Sequence, residues 1–523
     1  DPVIQSSIAT VTPVPSPNLI TLVKTYNGPE DETATGPNYP REYTVTATIA
    51  PEQTVTNLTL TDVLPNNMQF LTMVNPSNAA CSILPSTSTP GGTITCPVTQ
   101  VGNTASMTFR YFIPLNDSSS SPVINAISGD DVLSQNTASA SGSWQPLDTR
   151  DTLTPVNVDP AGFEHILTDK SIAIQKGVAN VTDSTNSPLD ILRYTLNFQV
   201  SDYFAFQNIS ITDVISDGQH FYNAPGYAPT MSINGNQYSL GSAALDADYV
   251  DVSCNYTGGP GSECDTDNPA ANDGTTSILF EISPEIIRRG QDGRMVGGCV
   301  PNTGVGSGNF RSCNLYNDGA TTGTITFYTQ ILENFTDTYP SGDPSVDQGD
   351  TLGNSVSIVG DLLTVTDAAT PTGENEADGS GASVSIPYGE ISKAIYAING
   401  STSFSPPVSV SPGDAITYRV TYTLPTSDFE ALALTDYLPL PVFDSTTVTT
   451  FNPSVCGVPA SGTSCYGPTD SYHALPNTPT PVVPTLTTSS ATNSVTWTYG
   501  NYDANNNQPS KIDLLFTVTV NNL

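Results

Sequence analysis

Three times along this chain a Lys ending an apolar alternation, a Tyr opening a strand-like run and a Thr-Asp pair recur in the same order. The Lys segments are Ile20-Thr21-Leu22-Val23-Lys24, Ile172-Ala173-Ile174-Gln175-Lys176 and Gly389-Glu390-Ile391-Ser392-Lys393. The Tyr segments begin at Tyr43, Tyr194 and Tyr418, and the pairs are Thr61-Asp62, Thr212-Asp213 and Thr435-Asp436. Lys and Tyr are 19, 18 and 25 residues apart, and Tyr and Asp 19, 19 and 18. A Phe (Phe70, Phe221, Phe443) and then a cysteine pair follow in each copy. Such recurrence means one structural unit used three times, each with its own core.

The unit reads as all-β. Runs such as Tyr43 to Ile49 and Met107 to Ile113 alternate apolar and polar residues and are rich in Thr, Val and Tyr, as strands with one buried face are. With 40 Gly and 43 Pro in 523 residues, turn signals fall often enough to separate short strands. No amphipathic helical pattern is visible. About seven strands per copy fit an immunoglobulin-like β-sandwich. The expected order is three tandem sandwiches over residues 19–144, 169–363 and 388–523, joined by polar, Pro-bearing linkers at 13–18, 145–168 and 364–387. The middle copy is longest, and its extra residues, around Ala243 to Asn317, are expected to project as loops.

Lys and Arg number 14 against 50 Asp and Glu, a net charge of −36. That surface repels phosphate backbones and anionic lipid, which argues against nucleic-acid binding and electrostatic membrane docking. No apolar run of about 18 residues offers membrane insertion. Asp1 fits a mature terminus left after removal of a secretion signal. The eight cysteines fall into close pairs, Cys81 with Cys96, Cys254 with Cys264, Cys299 with Cys313, and Cys456 with Cys465. An even count at short separations reads as disulfides of a secreted, extracellular protein, each contributing about 2 to 3 kcal/mol.

The first twelve residues align without a gap on Asp130 to Ser141, which closes the first copy, and Asp350 to Gly360 closes the second. No such segment follows Phe516-Thr517-Val518-Thr519-Val520 in the third. The third sandwich is therefore expected to lack its final strand and the N-terminus to carry a spare one. Subunits would join head to tail, with Val3, Ile4, Ser7, Ile8, Ala9 and Val11 as strand donor and Leu515, Phe516, Val518 and Val520 as strand acceptor. In register, Ser7, Ala9 and Val11 match Asn136, Ala138 and Ala140, and also Asn354, Val356 and Ile358. Burying the apolar donors at about 25 cal/mol per Å², with a backbone ladder, would hold such a joint firmly. A head-to-tail contact of this kind makes an open homopolymer. The competing expectations are a closing strand lost from the C-terminus and back-folding of the chain's own N-terminus.

The motifs Tyr43-Thr44-Val45-Thr46 and Thr61-Asp62-Val63-Leu64-Pro65, repeated as Tyr418-Arg419-Val420-Thr421 and Thr435-Asp436-Tyr437-Leu438-Pro439, resemble the conserved-repeat domains of unknown function in large bacterial and archaeal surface proteins. The middle copy departs from the pattern, with Ser216 where the others have Pro. The resemblance implies a β-sandwich at the cell surface with a role in adhesion or scaffolding, and no catalytic residue.

Other motifs are weaker. Each Thr-Asp pair is expected to cap a turn, its carboxylate on nearby amides. Lys24, Lys176 and Lys393 are expected at strand ends with their ammonium groups in solvent. The sharper alternative is an isopeptide bond from Lys to Asn136 or Asn354, with Asp62 or Asp213 as the acid; Ser7 in the donor segment forbids it between subunits. Asp265, Asp267, Asn268, Asn272 and Asp273 offer calcium a ligand set without the helix-flanked loop spacing, so an ordinary acidic loop is expected and no cofactor is assigned. Among seven glycosylation sequons, Asn57 and Asn208 occupy equivalent positions and are the best candidates for glycan carriers. His165, His220 and His473 stand near no nucleophile or metal motif, so no catalytic residue is singled out and a non-enzymatic role is expected. The expectation is an extracellular filament subunit, against a non-polymerising adhesin or surface-layer stalk, or a carbohydrate-binding or hydrolytic module. Beyond itself, a host or surface glycan is the partner considered.

Overall fold

A computed structural model describes residues 19–146, 150–158, 164–235, 237–257, 264–298, 319–337, 344–426, 429–450, 484–502 and 510–522. The expected donor strand (1–12), the linker 13–18 and the pairs Cys299 with Cys313 and Cys456 with Cys465 lie outside them. The fold is all-β, three immunoglobulin-like sandwiches in tandem.

In the first sandwich, β1 (Ile20–Asn27), β3 (Arg41–Ile49), β7 (Thr104–Phe112) and β5 (Gln69–Asn75) form one sheet in that order. The facing sheet runs β2 (Glu32–Ala34), β10 (Glu164–Lys170), β8 (Val132–Gln145), β4 (Thr54–Leu64), β6 (Gly92–Pro97), with β9 (Thr154–Val158) also on β8. The second sandwich repeats the plan. Its first sheet is β11 (Ile172–Asn180), β12 (Ile191–Val200), β21 (Thr321–Ile331), β15 (Thr230–Asn234) and β16 (Leu240–Ala244), with β14 (Gln219–Phe221) on β21. The other is β18 (Thr266–Asp267), β17 (Val250–Cys254), β19 (Thr276–Glu281), β13 (Ala205–Ile215), β22 (Thr351–Leu363) and β23 (Pro371–Ser385), with β20 (Met295–Val296) on β13. The third has β24 (Glu390–Ile398), β25 (Ala415–Leu424), β30 (Ser510–Thr519) and β27 (Thr449–Thr450) facing β26 (Phe429–Tyr437), β29 (Ser494–Tyr502) and β28 (Thr485–Ser489).

Alternation explains the sheets. Along β12, Leu192, Tyr194, Leu196, Phe198 and Val200 are buried while Arg193 and Asn197 face out, as a strand with one core face requires. Disulfides join Cys81 to Cys96 and Cys254 to Cys264, tying loop to strand.

Three local expectations change. The stretch 145–168 carries β9 and part of β10, and 364–387 carries β23, so both supposed linkers contain sheet strands. β23 pairs along nearly its whole length with β22, from Thr351 opposite Ser385 to Leu363 opposite Pro371. Its small polar residues need no apolar face, because the free edge of β22 supplies backbone partners. It also lies on β11, where the Asp378 carboxylate accepts the Ile174 amide at 2.6 Å and Ser380 Oγ the Lys176 amide at 2.9 Å. Within the middle insertion, β17 and β19 extend the sheet rather than looping away, and one short helix, α1 (Ile282–Arg288), packs on β13. Its buried Glu285 is gripped by Arg288 and Arg289 at 2.6 to 2.7 Å.

Candidate functional site

The three sequence landmarks meet in space. Lys24 leaves β1, crosses the gap between the sheets and brings Nζ to 2.5 Å from Asp62 Oδ2 on β4 and 4.4 Å from the Tyr43 ring centre. Lys176 does the same, bonding Asp213 Oδ2 with Nζ 4.8 Å from the Tyr194 ring and 5.2 Å from Phe327. Both ion pairs are sealed, with side-chain exposures of 2% and 0% in the first and 0% and 0% in the second. Lys393 lies 2.7 Å from the Asp436 carboxylate and 4.2 Å from the Tyr418 ring, yet its side chain is 35% exposed.

These geometries overturn two expectations. Asp62 and Asp213 sit within strands and bind a lysine across the core, so they cap no turn. Lys24 and Lys176 keep their ammonium groups out of solvent, because the carboxylate and aromatic faces compensate part of the burial.

Asn136 on β8 and Asn354 on β22 complete the groups. Asp62 lies opposite Ala138 and Asp213 opposite Val356, so each Asn stands two residues along the inward face of the closing strand. Both are buried, and neither carboxamide oxygen nor nitrogen completes a hydrogen bond of ordinary geometry. Each is nevertheless near enough to its Asp to favour the carboxylate. Burial dominates the ionisation of the pairs. It pushes the Lys24 ammonium down against the pull of Asp62, and the Lys176 ammonium to about 8 against that of Asp213. It raises the Asp62 carboxyl and lifts Asp213 to about 6, in each case opposed by the facing lysine. The pairs are thus drawn toward a neutral amine beside a neutral acid.

The third group differs because, among the described residues, no closing strand lies beside it. β4 pairs with β6 on one side and β8 on the other, and β13 with β19 and β22. Among the described residues β26 pairs with β29 alone, leaving the edge beside Leu434, Asp436 and Leu438 unpaired. The residues expected as acceptor lie elsewhere. Leu515, Phe516 and Val518 are buried on β30, paired by β25 on one side and β27 on the other, and Val520 bridges Phe443. They build the core floor, and the edge that is unpaired among the described residues is on the opposite sheet. The signal that locates it is the position of Asp436, equivalent to Asp62 and Asp213.

Asn57 and Asn208 are exposed, each at a β-bulge with φ of 52° and 50°. In the acidic loop, Asp265 Oδ2 accepts the Val252 amide at 2.7 Å and Asp273 Oδ1 the Thr275 hydroxyl at 2.7 Å, so the first carboxylate ties its loop to β17 and the second braces its own turn. Among the described residues no three His, Cys, Asp or Glu side chains converge as metal ligands would. No helix there is long and apolar enough to cross a membrane.

No family model matches the chain and no curated relative is found. Solved structures do resemble it. The T6 backbone pilin of serotype M6 Streptococcus pyogenes is 11% identical over 97% of this chain and 96% of its own, with a TM-score of 0.21. The full-length major pilin SpaD from Corynebacterium diphtheriae is 10% identical over 65% and 62%, TM-score 0.20. The C-terminal domain of the Streptococcus pyogenes antigen I/II-family protein AspA is 8% identical over 70% and 100%, TM-score 0.19.

Proposed function

We propose that this chain is the structural subunit of an extracellular surface filament, in which residues 1–12 of one subunit pair with the open edge of β26 in the next. The carrying observation is that edge: the two strands equivalent to β26 are each covered by a closing strand, and β26 is not, among the described residues. The segment that matches both closing strands in sequence is 1–12. Transferring the register puts Ala9 opposite Asp436, as Ala138 is opposite Asp62 and Val356 opposite Asp213. Ser7, Ala9 and Val11 then point inward, where Asn136, Ala138 and Ala140 are buried in the first sandwich. An unpaired strand over a half-closed core favours β-augmentation, since the added ladder and the apolar burial act together. Surface-protein repeats and an acidic, disulfide-bonded chain suit such a filament.

The test is negative-stain microscopy of the purified chain beside a variant lacking Asp1 to Thr12, with the free twelve-residue peptide added back. Filaments lost on deletion, with peptide-capped monomers gaining heat stability, are the expected result. Monomers in both samples, or filaments in both, would overturn the reading and favour a non-polymerising stalk or another contact.

A further inference from the structure

We infer that the first and second sandwiches are each closed by a covalent amide between Lys24 and Asn136 and between Lys176 and Asn354, with Asp62 and Asp213 carrying the protons. This does not depend on the filament reading, since each bond lies within one chain and one sandwich.

The argument starts from what is otherwise unexplained. A lysine fully inside a sandwich forfeits its hydration, and replacement of a buried ion pair by apolar groups is often neutral or better for stability. A buried carboxamide that completes no hydrogen bond is a further cost. Here both occur together, twice, each time around one carboxylate: Asp62 accepts from Lys24 and its charged form is favoured by the nearby Asn136, and Asp213 accepts from Lys176 and its charged form is favoured by the nearby Asn354. Amine, carboxamide and acid are the reactants and the catalyst of amide exchange. Tyr43, Phe109 and Tyr111 wall the first group, and Tyr194, Phe280 and Phe327 the second, so water is excluded.

The ammonium passes one proton to the carboxylate, which burial favours for both partners. The freed Nζ lone pair attacks Cγ of the Asn, polarised by the acid. A second proton moves from the attacking nitrogen, by way of the carboxylate, to the amide nitrogen. The bond from Cγ to Nδ2 breaks, and that nitrogen leaves as ammonia. The new Nζ–Cγ amide remains beside an Asp that keeps the first proton. No oxidant, reductant or activated cofactor is needed. Once formed, the bond removes both the buried charge and the partnerless amide, and it joins the first strand of the sandwich to its closing strand across the core.

The third group is an internal control. Lys393 has Asp436 beside it but no closing-strand Asn among the described residues, and the proposed donor places Ser7 there, so its amine stays free.

The test is the mass of the reduced, denatured chain made in a host that adds no glycans, followed by tryptic mapping. The expected mass is lower than that of the sequence by two molecules of ammonia. Branched peptides should join the segment around Lys24 to that around Asn136, and that around Lys176 to that around Asn354, while trypsin cleaves normally after Lys393. Lys24→Met and Lys176→Met should each restore one ammonia, and Asp213→Ala should leave the second site unreacted in folded protein. A wild-type mass equal to that of the sequence, with linear peptides only, overturns the inference whether or not the variants fold. Complete branching at the second site in Asp213→Ala overturns the role given to that carboxylate.

Discussion

Asp202 in the second sandwich accepts two hydrogen bonds from Asn38 in the first, from the backbone amide at 2.8 Å and from Nδ2 at 2.7 Å. The carboxylate is wholly buried. The approach is close enough that a Cβ on Gly36, whose φ is +106°, would fall 2.1 Å from Asp202 Cβ. Beside it the Tyr39 hydroxyl reaches the Val200 and Thr321 carbonyls, both at 2.7 Å. Apolar packing is continuous through these two sandwiches, whereas the third has a core of its own. Calorimetry should therefore resolve one transition for the first two sandwiches and a separate one for the third. Asp202→Ala strands two buried donors and should cost about 3 kcal/mol, splitting the first transition. A single transition for the whole chain would contradict this division.

The proposed subunit joint has a fixed register, because a slip of one residue turns the inward side chains to solvent. Thr61 faces Ser139 and Thr212 faces Ser357, so Thr10 should face Thr435 on the outer surface. A chain carrying Thr10→Cys and Thr435→Cys is expected to give a ladder of covalent multimers on a non-reducing gel. Ser6→Cys with Thr435→Cys is expected to give none, the positions being about four residues, or roughly 13 Å, out of register.

Between the first two sandwiches, Lys170 Nζ gathers Glu32 at 3.3 Å, Asp131 at 2.7 Å and Asp378 at 2.9 Å. Burial first, then Asp378, raises the Glu32 carboxyl to about 7 against the pull of Lys170. Burial, Asp131 and Asp130 raise Glu376 to about 7. Carboxyls raised in the fold bind more protons there than in the unfolded chain. Their contribution is full below about 4.5 and is lost as pH rises through about 7. The melting temperature of the first transition should thus fall as pH goes from 5 to 8. Both groups are partly open to solvent, which keeps the effect below about 1 kcal/mol. Glu32→Gln and Glu376→Gln should flatten the profile; an unchanged slope would remove these groups as its source.

Lys, Tyr and Asp were legible as landmarks because their fixed spacing has a physical cause: the three side chains touch. The closing strands were legible through the inward-facing Asn136, Ala138 and Ala140. β23 escaped because a polar strand on an existing edge has no periodic apolar signature. The seven-residue α1 escaped because it is too short for one, and its buried Glu285 reads as a surface charge until Arg288 and Arg289 are seen around it. The residues expected as strand acceptor are flanked on both sides by strands for a topological reason. β30 is last in sequence but interior to its sheet, so proximity to the C-terminus said nothing of which edge is free.

Asn57, Asn208 and Ala431 stand at the same bulge of β4, β13 and β26, with φ of 52°, 50° and 44°. The left-handed region suits Asn, whose side chain tolerates it, and penalises Ala through its Cβ. Ala431 is exposed and donates its amide to Asn501 Oδ1 at 2.7 Å, so its side chain can change without disturbing that bond. Ala431→Gly and Ala431→Asn should each stabilise the third sandwich by about 0.5 to 1 kcal/mol, and Asn57→Ala should weaken the first by a similar amount. Thermal unfolding in unglycosylated protein isolates the backbone effect from any glycan on Asn57. If Ala431→Asn lowers the third transition, the bulge is not held by its φ, and the equivalence of the three copies at this position fails with it.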